Sequence, residues 1–162
     1  MIIKIVLAVL GVILVSLIVN IIQDCRRRSR SIISFKESMD LTELPVITFM
    51  CNERKLNFLL DTGSNRSYIN STIINDLEHK KLEGTEEVIG AEGNGMQSQL
   101  AMIQLTYKDQ VFETGVNIMN LDDAFTAIKD ESGVQIHGIL GSLFFQKYKY
   151  VLDFDSLIAY IK

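Results

Sequence analysis

The pattern of hydrophobic and polar positions divides this chain into two regimes. Residues 5–22 are apolar apart from Ser16 and Asn20. As a helix rising about 1.5 Å per residue, that run reaches roughly 27 Å, enough to cross the hydrocarbon core of a bilayer. Residues 31–43 show no clean period and read as a short, exposed linker. After Pro45 the texture changes to short apolar runs at residues 46–51, 55–60, 87–89, 100–107, 111–119, 136–140, 150–154 and 157–161. Turn-like groups separate them: Asn52-Glu53-Arg54, Glu92-Gly93-Asn94-Gly95, Lys108-Asp109-Gln110 and Asp155-Ser156. Frequent short strands with this punctuation predict an antiparallel β domain. Three helical interludes interrupt it. One is capped by Asn70 or Ser71 and runs through Ile73, Ile74 and Leu77; one covers residues 121–129; one covers residues 143–148 after a cap at Ser142.

Charge sharpens the division. Of the net −4, the first thirty residues hold Lys4, Arg26, Arg27, Arg28 and Arg30 against Asp24 alone. From Lys36 onward there are 11 basic and 19 acidic side chains, a net of −8. Such an acidic body argues against a nucleic-acid-binding surface. The apolar run meets a basic stop, Cys25-Arg26-Arg27-Arg28-Ser29-Arg30, with no small-residue cleavage site. An uncleaved anchor is therefore expected rather than a removed signal. The arginines that follow it place the rest of the chain on the cytoplasmic face by the positive-inside rule. The expected organisation is a single-pass transmembrane anchor over 1–24, a basic juxtamembrane linker over 25–43 and a folded domain over 44–162. Two cysteines, Cys25 and Cys51, with His79 and His137, make neither a disulfide framework nor a four-ligand metal site. No metal and no cofactor are expected.

The chemistry concentrates in Phe58-Leu59-Leu60-Asp61-Thr62-Gly63-Ser64. An apolar strand delivers an acid into a turn containing glycine and two hydroxyl residues. Glycine permits a close backbone turn, and hydroxyls and amides can orient a carboxylate. Two such acids sharing one proton separate their apparent pKa values, so that one acts as base and the other as acid. By itself, Asp-Thr-Gly is equally a strand-terminating turn.

Downstream, His137-Gly138-Ile139-Leu140-Gly141 sets two bulky aliphatics before a glycine and then opens a helix, with two strand-like runs to follow. With Asp-Thr-Gly-Ser about eighty residues earlier, the arrangement resembles the retropepsin-like aspartic protease family over roughly residues 44–162. The resemblance implies a closed, mostly antiparallel β-barrel with short helices and an endopeptidase that needs no cofactor. It makes Asp61 the catalytic aspartate and Thr62 the residue whose hydroxyl bonds across to an opposing loop. Gly63 becomes the close-approach glycine, and Ser64 a small residue whose hydroxyl could stabilise the ionised carboxylate. Ile139, Leu140 and Gly141 become the supporting element of the ψ-shaped strand motif. The stretch holding Gly90, Ala91, Glu92, Gly93, Asn94 and Gly95 resembles the mobile hairpin, or flap, that closes over a polypeptide substrate.

One Asp-Thr-Gly supplies half a dyad, so the resemblance implies a homodimer pairing Asp61 with its symmetry mate. Parallel anchors would raise the effective concentration of the two domains. Asp153 and Asp155 are the in-chain competitors, but they end a strand at a tight turn, where aspartate is common for conformational reasons. Arg66 suits pairing with an acid of the partner subunit or a plain surface position. His137 reads as a strand-edge residue, His79 as solvated, and Met96, Met102 and Met119 as apolar filler. The competing class is a dimeric peptide-binding or scaffold module of the same fold without proteolysis. Exposure of residues 31–43 would also make them a target for self-cleavage.

Overall fold

A computed structural model describes residues 11–23, 32–89 and 95–162. The chain separates into two units, residues 1–32 and residues 33–162. In the first, residues 11–23 form helix α1, whose apolar side chains, Val12, Leu14, Val15 and Leu17 among them, are exposed. Among the described residues no helix is long and apolar enough to cross a membrane. The expected anchor extends over residues 1–10 and 24, which lie outside the described residues.

The second unit is a mostly-β closed barrel with short helices. Its strands are β2 (Val46–Cys51), β3 (Arg54–Leu60), β4 (Tyr68–Asn70), β5 (Lys80–Ile89), β6 (Gly95–Tyr107), β7 (Gln110–Met119) and β8 (Gly138–Leu140). They run in the order β2-β3-β8-β4-β7-β6-β5, and a further pairing of β2 with β6 at Met50 and Thr106 closes the ring. Strand β5 remains outside the ring on the flank of β6. Closure removes the unpaired edges that an open sheet would leave. A smaller sheet, ordered β1-β10-β9, is built from β1 (Ile33–Ser34), β9 (Tyr150–Asp153) and β10 (Ile158–Ile161). The helices are α2 (Lys36–Thr42), α3 (Ser71–Ile74), α4 (Asp122–Ser132) and α5 (Ser142–Tyr148).

Alternation along the strands explains the core. In β3 the burial pattern puts Leu56, Phe58 and Leu60 inward, each at most 3 % exposed. Phe49, Phe58 and Phe112 meet edge to face with centroids 5.7–6.1 Å apart, a geometry that adds to the burial of their area. A smaller cluster of Val46, Phe125 and Ile136 fixes α4 against the barrel. Asn70 caps α3 by accepting from the Thr72 N–H, and its amide donates to Asp122 at 2.7 Å, tying β4 to α4. Helix α4 ends where Gly133 takes a left-handed conformation (φ 77°) and donates to the Lys129 carbonyl.

Residues 33–42 depart from the expected linker. Ile33 and Phe35 are 2 % and 1 % exposed and belong to the main core. Strand β1 pairs with β10, Ile33 opposite Ala159, and the Phe35 amide donates to the Leu157 carbonyl at 3.0 Å. The absence of period arose because two buried residues flank a single exposed serine, too short a stretch to show alternation. Lys36, Glu37, Asp40, Leu41 and Glu43 of the same segment remain exposed. Substituting Phe35→Ala should destabilise the domain by about 3–5 kcal/mol, the usual cost of emptying a buried ring site. Chemical denaturation measures this; an unchanged midpoint would return the segment to a linker.

Candidate active site

Three strands meet beneath Asp61. Strand β8 lies between β3 and β4, parallel to the first and antiparallel to the second, with Leu60 opposite Leu140 and Tyr68 opposite Ile139. Leaving β3, the chain continues this pairing for one more bond, from the Asp61 N–H to the Leu140 carbonyl at 3.0 Å. It then turns, and the Gly63 N–H donates to Asp61 Oδ1 at 2.9 Å while the Ser64 N–H reaches back to the Asp61 carbonyl at 3.4 Å. The carboxylate is thus oriented by backbone and left half-buried at the surface.

Gly141 fixes the loop from below. A Cβ built there would lie 2.1 Å from the Arg66 carbonyl oxygen and 2.9 Å from that of Ser64, so only glycine fits. Its N–H donates to the hydroxyl of buried Ser67 at 3.1 Å, and the Ser142 and Leu143 amides donate to the Ser64 and Asn65 carbonyls. Gly138 is equally constrained, since a Cβ would meet Phe58 and the Tyr68 carbonyl at 2.5 Å. The expected elements Asp61–Ser64 and Ile139–Gly141 are therefore brought together.

The hydroxyls behave differently from one another. Ser64 Oγ donates to the Arg66 carbonyl at 2.9 Å, which closes the loop rather than touching the carboxylate. Thr62 is exposed, and its hydroxyl makes no hydrogen bond among the described residues. Arg66 pairs within its own chain, Nε to Glu86 Oε2 at 3.2 Å. Of the expected flap, Gly95 opens β6, whereas Gly90, Ala91, Glu92, Gly93 and Asn94 lie outside the described residues. Asp153 is occupied in its turn: Oδ1 accepts from the Asp155 and Ser156 amides, both at 3.0 Å. The Ser156 amide bond holds its carboxyl below the usual range.

A profile of the aspartyl proteases matches residues 47–144. The chain belongs to the aspartyl protease family. Among solved structures it is similar to the EIAV protease complexed with the inhibitor HBY-793, with 21 % identity and a TM-score of 0.48, covering 67 % of this chain and 90 % of that one. It is similar to a retropepsin-like aspartic protease from Rickettsia conorii, with 14 % identity and a TM-score of 0.45, covering 71 % of this chain and 79 % of that one. The foamy viral protease-reverse transcriptase matches at 12 % identity and a TM-score of 0.45, over 65 % of this chain and 12 % of that one. No curated protein matches in sequence.

In this aspartyl protease, a histidine that sequence reasoning set aside belongs to the support of the site. His137 Nδ1 accepts from the Asn57 N–H at 3.0 Å, its own N–H donates to the Asn57 carbonyl, and its carbonyl accepts from the Asn70 N–H. It therefore joins β3 to β4 one residue before Gly138. An acceptor ring nitrogen must be unprotonated. Burial, and then the Arg54 guanidinium, lower its pKa below 6.5. A histidine whose folded pKa is depressed contributes stability above its unfolded pKa and loses it as pH falls through the folded value. The thermal midpoint should drop between pH 7 and pH 5. His137→Asn, which keeps an acceptor near the same point, should flatten that drop; an equally steep profile would exclude the residue. Gly141→Ala should cost about 3 kcal/mol or more by denaturation, because backbone rather than a pliable side chain stands in the way.

Proposed function

We propose that the protein is a membrane-anchored aspartic endopeptidase, active as a homodimer in which Asp61 and the symmetry-related Asp61 share a proton and activate water. The observation that carries this reading is an aspartate delivered by a strand, continued onto the Leu140 carbonyl and oriented by the Gly63 amide, in a chain of the aspartyl protease family. One carboxylate, ionised, takes a proton from the attacking water. The other, protonated, donates to the substrate carbonyl. Gly63 and Ser64 hold the loop; Gly141, Ile139 and Leu140 support it from beneath.

Dimerisation follows from the chemistry of the site. The sequence contains Asp-Thr-Gly once, and a shared proton needs two close carboxyls. The exposed Thr62 hydroxyl suits a bond to the opposing loop. Anchoring rests on the apolar run of residues 5–22 and the arginines after it; the same charges favour a domain on the cytoplasmic face. The substrate is a polypeptide in extended form, seated between the Asp61 loop and the β5–β6 hairpin.

Asp61→Asn in the full chain should abolish cleavage of an extended peptide, by at least about a thousandfold on the scale of other catalytic-residue losses, without lowering the thermal midpoint by more than a few degrees. Retained turnover would refute the assignment. Peptide capture by a dimer that never cleaves would favour the scaffold alternative instead. Thr62→Val should raise the dimer dissociation constant measured by sedimentation about fivefold or more, the value of one or two hydrogen bonds.

A further inference from the structure

Strand β5 changes character part-way along. Lys81 faces Ala101 and Thr85 faces Gln99, so β5 advances four residues while β6 advances two. Gly84, within this bulge, has φ +97°, a conformation side chains rarely adopt. Beyond it, residues 85–89 and 95–99 form a two-stranded ribbon. The returning arm is bound to the body at its base, where Gln99 pairs with Ile118 and the Ser98 hydroxyl donates to the Ile118 carbonyl at 3.0 Å. The outgoing arm is held differently. Glu86 reaches Arg66 on the Asp61 loop at 3.2 Å, whereas the Thr85 hydroxyl bonds within the ribbon, to Gln97. The ion pair borders open space. A cavity of about 250 Å³ separates it from α5, with Leu82, Leu143, Phe144 and Lys147 on its walls. Arg66 itself is well founded, because its carbonyl is bonded by Ser64 Oγ and pressed against Gly141.

We propose that Arg66 and Glu86 are positioning residues that set the height of the ribbon above the Asp61 loop, and with it the fit of the substrate chain. The Gly84 bulge supplies the pivot, the cavity lies beside the ion pair, and this partly exposed charge pair sets the arm's position. The proposal rests on the proteolytic reading and adds a salt-sensitive control of substrate binding, since exposed pairs are screened over about 10 Å at 0.1 M salt.

The test uses the full chain with an extended peptide substrate. Glu86→Gln and Arg66→Gln should each raise KM roughly two- to fivefold, the range an exposed ion pair supports, with kcat changed less than about twofold. The exchanged pair, Arg66→Glu with Glu86→Arg, should bring KM back toward the wild-type value. Added salt should raise KM for the wild type and leave the single variants flat. Amide hydrogen exchange at residues 85–89 should quicken in the single variants and slow again in the exchanged pair. Unchanged exchange and KM in both single variants would overturn the proposal, as would single-variant losses that the exchange of charges fails to restore. Exchange needs no turnover, so a chain that never cleaves would refute the proteolytic reading while leaving the ion pair's role to be judged separately.

Discussion

Gly141 lies so close to the carbonyls of Arg66 and Ser64 that a single added carbon would force them apart. From this contact the arrangement of the site follows. It lets the start of α5 donate amides to the loop, brings Ser67 under the Gly141 N–H, and holds β8 where its Leu140 carbonyl can receive the Asp61 amide. The bonds are individually ordinary. Their value lies in fixing an acid at the surface by backbone geometry, so that little reorganisation is left for the reaction itself.

The barrel serves that contact. Strand β8 is only three residues long, yet it is paired on both sides and sits over Phe58. Its place depends on Gly138 as much as on Gly141, because Phe58 occupies the volume a side chain would need. Packing of the aromatic cluster and precision of the loop are thus one problem. Filling the core with Phe58, Phe49 and Phe112 dictates glycine at the strand that carries the loop's support.

Of the long strands, residues 46–51 of β2 and most of β3, β6 and β7 follow from pattern alone, whereas of β5 only residues 87–89 do. The Asp61 turn and the Ile139-Leu140-Gly141 element were legible because each needs rare residue types in fixed order. Among the short elements β8, β9, β10, α3 and α5 were legible, but β4 and β1 were not. Strand β4 has three residues and β1 two, lengths at which a period of two carries no information. Ion pairs such as Arg66–Glu86 depend on which strands become neighbours, and so does the Asn57–His137 bond across 80 positions. Ser64 could be named as a hydroxyl near the acid; that it turns away to Arg66 is a matter of loop conformation.

The pairing of Ile33 with Ala159 joins β1 to β10, strands far apart along the chain. A chain made from its amino terminus holds Ile33 and Phe35 unsatisfied until residues 157–161 have been added, since β10 supplies their partners. Domains fold as units, and contacts this distant in sequence form late and set the pace. A chain cut before β10, however well its barrel strands have begun to pair, leaves two core side chains and a strand edge open.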